Sequence, residues 1–411
     1  MRQRTVAIVG YGTAGQALAL LLGRAGWQVH IYEQAACPGP VGAGFLLQPS
    51  GLQVLWQMGL LEAVCRHGAP VHRLHGTSPG GRTVMDIRYA ELDGRLHGLG
   101  LQRGALFEVL DAARAGCGQL HAGRRITAVD AAAGRLTDAH GNIHGPFDLV
   151  VAADGAGSVL RAQAGTPRRD VRYPWGALWC LVPAGDWPQA DVLAQRYLAA
   201  RKMIGMLPVG TRPGDPTPML SFFWSLPVEG VAAWESAGMA AWQDEVAQLW
   251  PECAARLCTV VQPGQLARAS YRDAVAGSWI NQRLVLAGDS AHAMSPQLGQ
   301  GVNMALLDAW TLAGCLASEP DQDSALRCYA RLRRAHVGIY QFWSRWLTPL
   351  FQSSHDRMAG TRDLLFGPLG RLPGGHGHML RVLAGTQQGW LGRLRLDPDF
   401  VDALPAAIRR P

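Results

Sequence analysis

The chain has 411 residues and a mass of 44.2 kDa, room for two to three domains of about 150 residues each. Hydrophobic residues make up 48% and charged residues 17%, so a large core can form and global disorder is excluded. The longest apolar runs, such as Ala17–Leu22, fall far short of the ~20 residues of a spanning helix, so a soluble cytoplasmic protein without a membrane span is expected.

The formal charge of +7 suggests an acidic partner, yet Lys202 is the only lysine. The tightest basic group, Arg331, Arg333 and Arg334, is too small for a nucleic-acid stripe and reads as a solvated helix face. Schiff-base chemistry has a single lysine to draw on. The eight cysteines carry no CxxC and fit free thiols in a reducing compartment. A basic start followed by an apolar stretch faintly imitates a signal peptide, but the stretch breaks at Gly10 after five residues and reads as a first strand.

That strand, Thr5–Val9, is apolar throughout, as a parallel strand buried on both faces would be. Gly10-Tyr11-Gly12-Thr13-Ala14-Gly15 follows, then helical spacing over Gln16–Ala25 closed by Gly26, then a strand Gln28–Tyr32 ending at Glu33 and Gln34. Gly10 allows the tight turn, Gly12 lets backbone approach a pyrophosphate, and Gly15 lets helix and strand pack closely. A diphosphate would meet the free N–H groups of Thr13 and Ala14 at the positive helix end. Glu33 can accept hydrogen bonds from both hydroxyls of an adenosine ribose. A bare glycine turn would be weak, but strand, helix and acid in register predict dinucleotide binding without separating NAD from FAD.

Residues 124–153 read as short strands around turns at Ala133-Gly134 and His140-Gly141-Asn142. They end in the apolar strand Leu149–Ala153, which delivers Asp154-Gly155 and Gly157 at its carboxyl end, where ligands bind in α/β sheets. From about 166 to 280 the texture changes. Ala177–Val182, Met203–Leu207 and Leu220–Leu226 look like antiparallel strands with one covered face, and Val231–Trp250 like a helix packed on them. A buried strand, Arg283–Ala287, then presents Gly288-Asp289. The loop through His292, Pro296, Gly299 and Gln300 leads into a helix over Gly301–Leu316 that begins with Val302 and Asn303. A helix N-terminus there would stabilise the negative charge that a flavin gains around N1 and O2 on reduction. Asp289 would hold a ribityl hydroxyl. His292 reads as a structural hydrogen-bonder first and a base second.

The glycine turn with Glu33, the Asp154-Gly155 motif and the Gly288-Asp289 motif, in this order and spacing, resemble the para-hydroxybenzoate hydroxylase family of FAD-dependent monooxygenases. Gly42-Ala43-Gly44-Phe45-Leu46-Leu47-Gln48-Pro49 and Gln102-Arg103-Gly104-Ala105-Leu106 match as well, and the likeness spans roughly residues 5–350. The resemblance implies non-covalent FAD, with Arg103 near the pyrophosphate, Asp289 near the ribityl and pyrophosphate portion, and Asp154 in a motif serving both FAD and NAD(P)H. It implies an α/β fold with an α+β insert. A Rossmann-like FAD-binding domain (1–72, 95–165 and 280–315) is interleaved with an antiparallel β-sheet substrate domain (73–94 and 166–279), and a helical C-terminal region (316–411) follows. NADH or NADPH would visit as a transient co-substrate, and O2 would form a flavin C4a-hydroperoxide that hydroxylates a small aromatic or heteroaromatic substrate.

The substrate is less legible. Tyr173, Trp175, Trp179, Phe222, Phe223 and Trp224 suit an aromatic pocket or plain core packing equally. Tyr271 and His292, with Pro296, are the catalytic candidates, and Arg196 and Arg201 either meet a substrate carboxylate or face water. Pro373-Gly374-Gly375-His376-Gly377-His378 reads as a loop rather than a metal site, and no metal is expected. Val337–Phe351 reads as an amphipathic helix covering the core or a subunit contact, which leaves a homodimer open. A flavin-dependent reductase or dehydrogenase of the same fold, or a non-enzymatic dinucleotide sensor, is the alternative reading. The intact Gly299–Asn303 loop argues against a sensor, which needs no cradle for a flavin ring.

Overall fold

The computed structural model of the chain describes residues 2–40, 42–353 and 374–409. Pro373 of the histidine loop, and residues 354–372 and 410–411 of the expected helical region, lie outside the described residues.

Six strands form the first sheet, in the order Ile280–Asn281, Leu284–Leu286, Leu149–Ala152, Thr5–Val9, Gln28–Tyr32 and Gln119–His121. Every neighbouring pair is parallel except the first. Val6, Ile8, Leu149, Val151 and Val285 are all fully buried, which explains why these strands read as unbroken apolar runs. The expected helix after the glycine turn is Thr13–Arg24, starting three residues earlier than its apolar spacing suggests.

The second sheet has seven strands, in the order Ala267–Val275, Arg169–Pro183, Asp215–Pro227, Lys202–Arg212, Val192–Leu198, Arg73–Thr77 and Thr83–Arg88. Its pairs are antiparallel except Val192–Leu198 with Arg73–Thr77. Period-two alternation sends the side chains two ways. Trp179, Leu181, Phe223 and Leu207 join the core shared with the first sheet, whereas Leu178, Cys180, Phe222 and Trp224 join a second core with Trp242 and Val246. The helix over that outer core, Val231–Leu249, is not continuous. Gly238 adopts φ 81°, ψ 168°, a conformation glycine tolerates, and interrupts it.

A three-stranded sheet, Gly44–Leu47, Gly98–Gln102 and Ala69–Val71, joins the two larger ones. Gly44 N donates to Ser221 Oγ (3.1 Å) and Gln102 Nε2 to the Gly210 carbonyl (3.0 Å). Val337–Phe351 is the second half of a longer helix, Gln322–Phe351, whose N-terminus is capped by Asp321 accepting from Ser324 N (2.8 Å). Val337, Tyr340, Leu347 and Phe351 are buried, so this face covers the core. All eight cysteines are free thiols.

Candidate active site

The glycine turn shows three different steric situations. Gly10 has φ +104°, and a Cβ there would sit 2.3 Å from the Ala153 carbonyl oxygen; a Cβ on Gly15 would lie 2.0 Å from the Gly10 oxygen. These two positions are closed to side chains by the fold itself. A Cβ on Gly12 would meet nothing within 4 Å. Gly12 is the uncapped N-cap of Thr13–Arg24, so the first N–H groups of the helix, at Thr13 and Ala14, face open space without a side-chain acceptor. At the end of the second strand, Glu33 is fixed by two backbone donors, Tyr11 N to Oε2 (2.9 Å) and Ala35 N to Oε1 (2.8 Å), with Gln34 exposed beside it.

The neighbouring strand brings Asp154 to the same sheet edge. Its Oδ1 is buried without a hydrogen-bond partner, and burial raises its pKa above the usual carboxylate value. Gly155, at φ +79°, and Gly157 would both point a Cβ into open space. Arg161, a few residues beyond Gly157, is the clamp. It is 1% exposed and donates to the carbonyls of Ser290 (2.7 Å), Ala156 (2.7 Å) and Asp289 (3.1 Å), while pairing with Asp170 (2.9 Å). One guanidinium thereby joins the two aspartate-bearing turns.

Asp289 and Arg103 share an unusual environment. Both side chains are solvent-accessible, yet protein surrounds each so closely that desolvation raises the carboxyl pKa of Asp289 and lowers that of Arg103. Both therefore line an interior cleft. Among the described residues neither side chain has a hydrogen-bond or ion-pair partner, although each feels the other's charge. The Arg103 guanidinium lies 5.6 Å from the Phe45 ring centre, and a Cβ on Gly42 would press to 2.9 Å from its Cδ. The cleft thus presents a fixed cation, a carboxylate and uncapped helix N-termini, the donor and acceptor set that FAD requires.

The loop after Asp289 closes this cleft. Gly288, at φ +65°, donates to Asp308 Oδ2 (2.6 Å). Pro296–Leu298 is a single 3-10 turn, and Gly299 follows in the left-handed region (φ 61°, ψ 26°) with open space where a Cβ would be. Gly301–Ser318 then starts without a side-chain cap, and a Cβ on Gly301 would lie 3.9 Å from Asp289 Oδ1. The side chains of Gln300 and Asn303 are engaged within the protein. Gln300 Nε2 donates to the Leu383 carbonyl (2.8 Å), and Asn303 links Gln48 N (2.9 Å) to the Gly299 carbonyl (3.2 Å). The backbone of Gln300, Gly301, Val302 and Asn303 is left for a cofactor, and Gln300 Oε1 is buried without a hydrogen-bond partner.

The remaining sequence candidates lie behind the loop and on both faces of the seven-stranded sheet. His292 is 1% exposed, with Nε2 2.7 Å from Asp308 Oδ2; it braces the loop from behind rather than facing the cleft. Gly44 spends its N–H on Ser221, and a Cβ there would strike Val209 at 2.5 Å, so packing against the larger sheet is what the fold shows for it. Phe222 and Trp224 belong to the outer core because strand alternation turns them away. Arg196 lies there too, over the Trp250 ring at 5.3 Å and bonded to Thr77. Trp179 and Phe223 face inward with ring centres 5.1 Å apart, and Trp179 Nε1 donates to the Tyr271 hydroxyl (3.1 Å). Burial pushes the Tyr271 pKa up to about 12 against the opposing pull of its Trp179 hydrogen bond and of Arg103, so the phenol is protonated at neutral pH. His376 pairs with Glu91 and His378 accepts from Trp343 Nε1 (3.0 Å); among the described residues no group of three or more His, Cys, Asp or Glu is placed to hold a metal.

The sequence matches the family described as FAD binding domain over residues 3–338. It is 30% identical to kynurenine 3-monooxygenase of Salinispora arenicola over 386 residues, covering 87% of this chain and 81% of that protein. It is 32% identical to 3-amino-4-hydroxybenzoate 2-monooxygenase of Streptomyces cremeus over 347 residues, covering 81% and 84%. The fold resembles the tetrameric form of 2-methyl-3-hydroxypyridine-5-carboxylic acid oxygenase with a TM-score of 0.77 at 22% identity, covering 95% of this chain and 100% of that one. It also resembles Klebsiella pneumoniae HpxO complexed with FAD and uric acid, with a TM-score of 0.75 at 21% identity and coverage of 95% and 98%. No described helix is long and apolar enough to cross a membrane. With a family match across most of its length and a cleft whose free charges and glycines suit the cofactor, the chain belongs to the FAD-binding flavoprotein hydroxylases related to para-hydroxybenzoate hydroxylase and is an FAD-dependent monooxygenase of aromatic substrates.

Proposed function

We propose that the enzyme uses NADH or NADPH and O2 to hydroxylate a small, electron-rich aromatic or heteroaromatic ring. Bound FAD supplies the electron transfer and oxygen activation. The chain's own residues divide the remaining work. Gly12, Thr13, Ala14 and Arg103 hold the pyrophosphate, Glu33 the adenosine ribose, and Asp289 the ribityl hydroxyls, while Asp154 and Gly155 border the same cleft. The backbone of Pro296 to Asn303 would border the flavin ring. The inner face of the 73–94 and 166–279 region provides the substrate wall: Trp179 and Phe223 exclude water, and the Tyr271 hydroxyl orients a polar group of the substrate. The observation that carries this reading is the unpaired Arg103 and Asp289 in one cleft beside the uncapped helix starts, a cation and a carboxylate that surrounding protein desolvates and that no protein group among the described residues pairs. Relatives named for kynurenine, an aminohydroxybenzoate and a hydroxyquinolone support an aromatic or heteroaromatic substrate.

The test is turnover of the purified yellow holoenzyme with NADH or NADPH, isotopically labelled O2 and a library of phenols, anilines and hydroxypyridines. One labelled oxygen atom in an aromatic product supports the proposal. Nicotinamide oxidation coupled to saturation of a double bond, with no oxygen incorporated, would reassign the enzyme as a reductase of the same fold.

A further inference from the structure

Four positions form a row across the inner face of the seven-stranded sheet. Trp179 pairs with Phe223, Phe223 with Gly205, and Gly205 with Gln195, each directly across an antiparallel ladder, so all four belong to one face. The row reads aromatic, aromatic, bare backbone, amide. Trp179 at its near end is only half-buried and donates to the Tyr271 hydroxyl (3.1 Å), which feels the charge of Arg103 in the flavin cleft.

The Phe223 ring fills the gap that Gly205 leaves. A Cβ at 205 would stand 2.0 Å from Phe223 Cε1, 2.3 Å from Cζ and 2.9 Å from Cδ1, so the ring lies down on the glycine backbone instead of standing off the sheet. A ring folded over a cross-strand glycine compensates the strand for its missing side chain. Here it also lowers the wall beside Trp179. Around the ring the remaining space is taken. Trp179 lies on one side with ring centres 5.1 Å apart. On the other, Gln195 Oε1 accepts from the Tyr197 hydroxyl (2.7 Å), and Tyr197 packs on Phe351 at 5.2 Å. Met203 and Leu207 flank Gly205 along its own strand in the same core. A side chain at 205 therefore drives the ring away from the sheet, toward the cleft. Cε1 must retreat by about 1.4 Å to reach the 3.4 Å of ordinary contact.

We propose that Gly205 is a specificity-determining residue of the monooxygenase: its missing side chain lets Phe223 lie back, and so sets the depth of the substrate pocket and the largest ring system that the enzyme accepts. This role rests on the reading of Trp179 and Phe223 as the substrate wall. Gly205 itself touches no substrate; it acts through the position of the Phe223 ring. Close-packed walls discriminate a single methylene by about 10- to 200-fold, so a ring displaced by about 1.4 Å is enough to exclude a bulky substrate while sparing a small one.

The sample is the FAD-loaded enzyme, and the probes are phenol, 4-ethylphenol and 2-naphthol, which share one hydroxyl and grow in size. Perturbation of the visible flavin spectrum gives each dissociation constant, and flavin content and melting temperature check the fold of each variant. Gly205→Ala should lower the affinity for the larger probes relative to phenol by about tenfold or more. Phe223→Leu alone, which needs no room at 205, should raise that ratio. The double variant Gly205→Ala/Phe223→Leu should recover most of the loss, because the alanine then has no ring to displace. A Gly205→Ala enzyme that melts lower yet keeps the wild-type size preference would show that the ring serves strand stability alone, and would overturn the proposal. Equal weakening of all three probes, or a folded Phe223→Leu enzyme with unchanged preference, overturns it as well. If no probe perturbs the wild-type flavin, the substrate-wall reading itself fails, and Gly205 loses this role with it.

Discussion

Asn303→Leu tests how the chain holds the Gly299 loop that would face the flavin. Asn303 is 0% exposed in the first turn of Gly301–Ser318. Its Oδ1 accepts from Gln48 N at 2.9 Å, and its Nδ2 donates to the Gly299 carbonyl at 3.2 Å and, at longer reach, to the Leu46 carbonyl at 3.4 Å. Leucine matches the volume and pairs with none of these groups. An unpaired buried group costs about 1–3 kcal/mol, so stranding the Gln48 N–H puts the loss at about 1–3 kcal/mol, while the carbonyl of the exposed Gly299 can turn to water. Relaxation cannot recover much of it, because a Cβ on Gly51 would lie only 2.2 Å from Asn303 Oδ1; the helix Pro49–Gln57 already touches the amide. The expected result is a protein that still folds, melts several degrees lower, and releases more hydrogen peroxide per nicotinamide oxidised because Gly299 is no longer anchored. Calorimetry and paired product and peroxide assays measure both effects. A variant with unchanged melting temperature and unchanged coupling would refute the reasoning.

Asp289→Ala should lose FAD without losing fold, at about 0.5–3 kcal/mol per cofactor hydrogen bond; flavin retention on dialysis reads the first and apoprotein melting the second. Gly299 separates conformation from contact. Gly299→Asn tolerates the left-handed backbone whereas Gly299→Val does not, so weakened FAD binding in both variants marks a cofactor contact and weakening in valine alone marks backbone strain. Burial lowers the pKa of His336 from 6.5 to about 3 and that of His97 to about 4. Both stay neutral in the folded chain while the unfolded chain takes up protons below 6.5, so stability should fall from about pH 6.5 toward pH 3 by up to ~1.4 kcal/mol per unit for each residue. Acid titration of the melting temperature checks the sign. Chelation by EDTA should leave turnover unchanged, and recovery of a lost activity by added iron would contradict flavin-only chemistry.

The parallel strands and glycine turns were legible because their causes are local. Thr5–Val9 and Leu149–Ala152 are buried on both faces, so apolar runs alone betray them; Gly10 is required locally by its φ of +104° and Gly15 by its contact with Gly10, although Ala153 also closes Gly10 from the neighbouring strand. The aromatic wall was only half legible. Trp179 and Phe223 were separable from Phe222 and Trp224 by alternation, but the sequence does not say which face meets the cofactor. That depends on Gly44–Leu47 and Gly98–Gln102 packing against the strands around Val209 and Ser221. Arg161 was missed for a related reason: its partners, Ser290 and Asp289, stand more than a hundred residues away, and no spacing rule connects them. The strand Val192–Leu198 went unread because its partner across one edge, Arg73–Thr77, is equally distant.

The C-terminal helices, weakly diagnostic in sequence, explain why the cleft can keep its charges unpaired. Asp308 is buried and accepts from Gly288 N (2.6 Å) and Arg333 Nε (2.6 Å), and its Oδ2 lies 2.7 Å from His292 Nε2. Burial alone would raise its pKa, but His292 and Arg333 hold it well below the usual carboxylate range. Arg333 continues to His336 Nδ1 (2.5 Å), and His336 Nε2 donates to the Gly385 carbonyl (3.1 Å). With Nδ1 accepting and Nε2 donating, His336 is the neutral tautomer, consistent with its lowered pKa. The chain from Gly288 to Gly385 fixes the rear of the Gly288-Asp289 turn, and Gln300 and Asn303 fix the loop that follows it. Removing one partner from such a buried charge network costs about 3–5 kcal/mol, far more than any exposed pair. Rigidity is therefore supplied from behind the loop, by groups that never reach the cleft. Arg103, Asp289 and the uncapped N–H groups in front need no protein partners to stay in place, and so remain free for the cofactor.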